Sequence, residues 1–167
     1  MTDTYFDIET TGLNPFHDQI LTIQVKRDEL VCVWKLWDEE DEVNVIRRFL
    51  AFLDSIRKNE AIFGYNILAF DIPFIWTRLS ILSGVDAAMY QRLFNRNWKD
   101  IYQYFGESYC SIDHWLERFN IKRGCVYTGR DIPQLYREEK YEAIEAHAID
   151  DLNISERLVE KLRTCNQ

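Results

Sequence analysis

The sequence contains no Cys-x-x-Cys pair, no apolar run approaching a membrane span, no internal repeat and no low-complexity linker. Cys32, Cys110, Cys125 and Cys165 are too scattered to suggest a zinc or thioredoxin-type motif, which leaves reduced thiols of an intracellular protein. Neither a signal peptide nor a membrane helix is expected, so the sequence reads as a soluble cytoplasmic protein without a membrane partner. Positive charge is scarce as well: 20 Lys and Arg stand against 28 Asp and Glu, a formal net charge of -8. That deficit argues against a protein that coats duplex DNA through a basic surface. It leaves room for an enzyme that reaches phosphates through divalent cations, because bound ions reverse the local sign.

What is present is apolar and aromatic. Hydrophobic residues make up 47% and aromatics 14% of 167 residues, enough for one domain, residues 1–167, to bury a core without disulfides. Strands are predicted at the opening segment around Tyr5 to Glu9, over 20–25 and over 30–37, joined by short connections that favour an antiparallel meander. The acidic run Asp38 to Glu42 reads as a solvated loop and helix start. Val43, Ile46, Phe49, Leu50 and Leu53 predict an amphipathic helix over 43–57. A buried strand is expected over 61–66, and a helix opening at Phe70-Asp71-Ile72-Pro73 and ending at Ser83-Gly84. A short fifth strand at 98–102, a capped helix over 111–119, a loop over 124–133, a helical turn over 134–139 and a long helix over 141–163 complete the prediction. The fold class is α/β, a five-stranded mixed sheet flanked by helices.

Three acidic stations stand out. Asp7 and Glu9 are two apart, so on a strand their carboxylates project from one face, and the following Thr-Thr-Gly-Leu begins a turn. Like charges that close are costly unless water or a cation intervenes, and oxygen-rich clusters suit Mg²⁺ or Mn²⁺. Asp71 sits at a strand-to-helix junction. Asp151 shares a helix face with Ile144, Ala148, Ile154, Leu158 and Leu162, and a carboxylate on an apolar face needs a reason. His17 and His114 have no carboxylate at metal spacing, and surface or capping roles are expected for them.

The stretches Phe6-Asp7-Ile8-Glu9-Thr10-Thr11-Gly12-Leu13, Asn66-Ile67-Leu68-Ala69-Phe70-Asp71-Ile72-Pro73-Phe74 and His147-Ala148-Ile149-Asp150-Asp151, in this order, resemble the three motifs of the DEDD, or DnaQ-like, exonuclease superfamily on the ribonuclease H-like fold. The second has the Asn-xxx-Phe-Asp form of the proofreading exonucleases of family B DNA polymerases. The third departs from pattern, because a His stands three clear of Asp151 where one branch has His four clear and the other Tyr three clear.

The resemblance implies a metal-dependent 3′-to-5′ exonuclease acting on single-stranded ends, DNA ahead of RNA, and releasing nucleoside 5′-monophosphates. Asp7, Glu9, Asp71 and Asp151 would hold two divalent ions, Mg²⁺ or Mn²⁺, with His147 as base. Thr10 and Leu13 would meet the terminal nucleotide, and Asn66 and Phe70, with Tyr65, would line the strand's path. For Phe70 and Tyr65, core packing is the favoured expectation. The alternative is a catalytically degenerate nuclease-fold module that binds nucleic acid or a partner protein without cleaving.

Overall fold

The computed structural model describes residues 3–105 and 111–165; Cys110 lies outside them. Strands β1 (Thr4–Thr10), β2 (Ile20–Arg27) and β3 (Leu30–Lys35) form the expected antiparallel meander. A 3₁₀ turn over Leu36–Asp38 ends the third strand earlier than its apolar run predicts, and Trp37 instead stacks on Tyr141 with ring centroids 4.6 Å apart. Helix α1 (Glu42–Ser55) follows, its start fixed by the Asp41 carboxylate accepting from Asn44 N–H.

Strand β4 (Ala61–Gly64) lies parallel to β1, and α2 (Asp71–Leu82) follows it. A short helix the sequence reading missed, α3 (Ala87–Phe94), leads into β5 (Asn97–Asp100), which pairs in parallel with β4. The fifth strand is thus one residue earlier at its start than expected and ends where a 3₁₀ turn over Ile101–Phe105 begins. Helices α4 (Ile112–Arg118), α5 (Ile132–Arg137) and α6 (Tyr141–Cys165) complete the chain, so Ile132 and Pro133 belong to a helix rather than the predicted loop. Sheet order is β3-β2-β1-β4-β5.

Apolar side chains cover both faces of this sheet. Phe6, Ile8, Ile23 and Val25 pack with the inner faces of α1 and α2, while Tyr5, Phe63, Leu152 and Leu158 form a second core under α6. Alternation along β1 therefore sends Asp7 and Glu9 toward α6 and Ile8 toward α2. Gly64 ends β4 at a close crossing, where a Cβ would come within 2.5 Å of the Phe6 carbonyl oxygen. The acidic run before α1 is not wholly solvated as expected. Glu42 is buried and bidentate with Arg78 of α2, its carboxylate also accepting from Ile20 N–H at 2.9 Å. On α1, Val45 rather than Val43 takes the fully buried position.

Candidate active site

The carboxyl ends of the parallel strands β1 and β4 open into a cleft of about 230 Å³, the place where open α/β sheets offer room for a ligand. Asp7, Glu9, Asp71 and Asp151 all line it, together with His147, Thr10, Leu13, Tyr65, Asn66 and Phe70. Separate elements aim these groups. Asp7 faces Gln24 across the β1–β2 ladder, and Gln24 Nε2 donates to Asp7 Oδ2 at 2.7 Å while its own oxygen accepts from Thr22 Oγ1 at 2.8 Å. The β1–β2 register shifts between Glu9 and Thr10, leaving Leu21 of β2 without a partner, and the Thr10 hydroxyl donates to Gly12 O, shaping the turn that carries Leu13 outward at 83% exposure.

Asp71 comes from the opposite side of the sheet. Its Oδ1 accepts from Ile8 N–H at 3.2 Å, which ties the first turn of α2 to β1. The segment between β4 and α2 is held by Asp100, whose carboxylate accepts from the N–H groups of Asn66, Leu68 and Tyr102 at 2.8, 3.0 and 3.0 Å. Asn66 adopts a left-handed φ of 61°, which an Asn tolerates and most residues do not. Tyr65 and Phe70 are partly buried, so each has both a packed side and a cleft-lining side.

From α6, His147 is 1% exposed and its Nε2 lies 3.6 Å from Glu9 Oε1 and 3.3 Å from Asp151 Oδ2. Glu9 Oε1 and both ring nitrogens of His147 are buried without a hydrogen-bond partner among the described residues. Glu9, His147 and Asp151 thereby form a group that can hold a metal ion. The neighbouring Asp150 does other work, its carboxylate accepting from Gly124 and Cys125 N–H and pinning the loop before α5. His17 and His114 are exposed, and His114 Nδ1 lies 3.0 Å from Ser111 Oγ at the start of α4.

The electrostatics fit this crowding. Burial first, then Asp71, Glu9 and Asp151, hold the Asp7 carboxyl well above its ordinary range, with Gln24 pulling the other way. Burial and then Asp151 and Asp71 do the same to Glu9. Asp71 is pushed up to about 7, chiefly by burial and against its hydrogen bond from Ile8 N–H. Three carboxyls that resist ionising together, with a fourth carboxylate beside them, are a site short of positive charge. One cation is built in: Arg123 donates from Nη1 to Asp151 Oδ1 at 2.8 Å and from Nη2 to Asp113 Oδ1 at 3.1 Å. Arg123, Asp100 and Gln24 were missed from sequence. Only Gln24 carries a signal there, as a polar residue between Ile23 and Val25 on a central strand.

A mixed sheet of this order, with acids gathered where β1 and β4 end, defines the RNase H-like fold. The RNase H superfamily profile matches residues 4–163, and the chain belongs to that superfamily. Among solved structures, the family B DNA polymerase from the hyperthermophilic archaeon Pyrobaculum calidifontis is similar at a TM-score of 0.78 and 23% identity, over 97% of this chain and 24% of the polymerase chain. The chain thus spans about a quarter of that polymerase's length. At that identity the likeness carries the fold. Comparison with curated proteins finds no match. No helix among the described residues is long and apolar enough to cross a membrane.

Proposed function

We propose that the protein is a metal-dependent nuclease that removes nucleotides from the 3′ end of single-stranded nucleic acid, DNA ahead of RNA. The observation that carries this reading is that Asp7, Glu9, Asp71 and Asp151, from three separate parts of the chain, line one cleft. Buried, unpaired oxygen at Glu9 and raised carboxyl pKa values make the donor set suited to hard divalent ions such as Mg²⁺ or Mn²⁺. Asp7, Glu9, Asp71 and Asp151 would hold two such ions, which when bound supply an acidified water and stabilise charge on the leaving oxygen.

The chain's own residues then orient and bind. Gln24 fixes Asp7, the Ile8 N–H fixes Asp71, and Arg123 fixes one oxygen of Asp151. His147 stands beside Glu9 and Asp151, its Nε2 3.6 Å and 3.3 Å from their oxygens, and is held there by the packing of α6 on β1. Leu13 stands exposed at the mouth as an apolar wedge, with the Thr10 backbone behind it. Asn66, Phe70 and Tyr65 line the same cleft, where an aromatic ring stacked on a base contributes about 1–3 kcal/mol. The acidic surface does not oppose this, since a short single-stranded end engages the cleft rather than a long charged groove.

Incubating a 5′-labelled oligonucleotide with the protein and Mn²⁺ is expected to give a ladder of shortened products that EDTA or Asp7→Ala abolishes. A full-strength ladder from Asp7→Ala overturns the proposal. A second reading, a nuclease-fold module that binds without cleaving, draws on Arg123, whose guanidinium already partners Asp151. Calorimetry distinguishes them: Mn²⁺ binding at or below millimolar concentration favours catalysis, and its absence favours the second reading.

A further inference from the structure

His147 occupies an unusual place for a base. A residue that takes a proton from an attacking water needs access to that water, yet the imidazole is 1% exposed and its Nε2 is wedged between two carboxylates. Neither contact is a formed hydrogen bond, and among the described residues Glu9 Oε1 on one side is equally unpaired and buried. Nε2 and Glu9 Oε1 stand 3.6 Å apart with no hydrogen bond between them, two electron pairs that one shared acceptor would satisfy.

The geometry points to His147 Nε2 as a direct metal ligand, forming with Glu9 and Asp151 a mixed nitrogen and oxygen site inside the carboxylate cluster. This rests on reading the cleft as an ion site. Donors each about 2.1 Å from one ion stand about 3.0 Å apart at a right angle and about 3.4 Å apart at the tetrahedral angle. The separations of 3.3 Å to Asp151 Oδ2 and 3.6 Å to Glu9 Oε1 are close to those spacings. All three donor atoms lie within 4.8 Å of one another. An ion on Nε2 would also settle the ring's tautomer by leaving the proton on Nδ1.

The spacing in the sequence explains how the imidazole gets there. His147 and Asp151 are one helical turn apart on α6, so both side chains project from the same face toward β1. An imidazole suits Mn²⁺, Co²⁺ and Zn²⁺ better than it suits Mg²⁺, which takes oxygen ligands and gives up its waters reluctantly. The site should therefore favour Co²⁺, Zn²⁺ and, to a smaller degree, Mn²⁺ over Mg²⁺ more strongly than four carboxylates alone would.

The test is pulsed EPR of the full chain loaded with Mn²⁺, with calorimetry alongside. The wild-type spectrum is expected to carry nitrogen hyperfine coupling from a directly bound imidazole, and His147→Gln is expected to lose it. The same substitution should weaken Mn²⁺ on the order of ten- to a hundredfold, as loss even of an outer partner of a metal ligand does, and Mg²⁺ far less. Bound Mn²⁺ without nitrogen coupling overturns the assignment of His147 and leaves the nuclease proposal standing. Absence of Mn²⁺ binding overturns both. Should His147→Gln fail to fold, the wild-type spectrum still decides, because the other two histidines are exposed and outside the cleft lining.

Discussion

Arg123 Nη1 lies 2.8 Å from Asp151 Oδ1, so this guanidinium holds one oxygen of a carboxylate whose other oxygen faces His147. The same arginine reaches Asp113 of α4. It is both a brace for Asp151 and a positive charge beside the space in which ions would sit. Unit charges about 4 Å apart interact by about 1 kcal/mol in bulk water and by more where water is partly excluded. Arg123→Ala is therefore expected to tighten Mn²⁺ by roughly fivefold or more, with Arg123→Lys near the wild type. Calorimetric titration at low salt checks this, and an unchanged or weaker affinity contradicts it.

The raised carboxyls predict an unusual dependence of stability on pH. Asp71 titrates at about 7 in the folded chain against an ordinary 3.8. Between those values the folded chain holds more protons than the unfolded one, so stability falls as pH rises. The Asp71 contribution is whole below about pH 4 and lost as pH climbs through about 7. Asp7 and Glu9 push in the same direction. Thermal melts in EDTA should show a lower midpoint at neutral pH than Asp71→Asn shows, with the difference closing in mild acid. Mn²⁺ should raise the wild-type midpoint at neutral pH, because ions replace the protons. Parallel pH profiles for wild type and Asp71→Asn contradict the account.

Asp100 acts through backbone geometry. Three N–H groups from the ends of one turn and the start of another converge on its carboxylate. Each orphaned buried donor costs about 1–3 kcal/mol, and water reaches these in part, so Asp100→Ala should destabilise by roughly 2–4 kcal/mol. That corresponds to a fall of roughly 4–16 °C in the midpoint of thermal unfolding for a chain of this size. A shift within a degree of wild type would remove Asp100 from this role.

The sequence carried the fold where a regular period met a local stop signal. Alternation at Tyr5 to Glu9 puts two acids on one face, and the β1–β2 register keeps them there. Pro73, tolerated only in a first turn, marks the start of α2 and thereby the position of Asp71. Where a segment is short the period is too brief to read. Helix α3 has eight residues and one fully buried side chain, Leu93, although Asp86 caps it in the usual way.

Long-range partnerships were the other blind spot. Glu42 looks like the end of a solvated acidic run until Arg78, on a different helix, turns it into a buried pair. Nothing in the spacing of Arg123 marks it as a partner of Asp151, since it sits in irregular chain between α4 and α5. His147 was legible as a chemical residue because it shares a turn with Asp151. Its burial between two carboxylates was not, because that depends on how close α6 packs to β1.

Anomalous scattering from crystals soaked with Mn²⁺ would locate ions without reference to activity. Mn²⁺ peaks are expected in the cleft, within coordination distance of carboxylate oxygens of Asp7, Glu9, Asp71 and Asp151. A cleft free of anomalous density at saturating Mn²⁺, or peaks only on surface acids such as those of residues 38–41, would contradict this expectation.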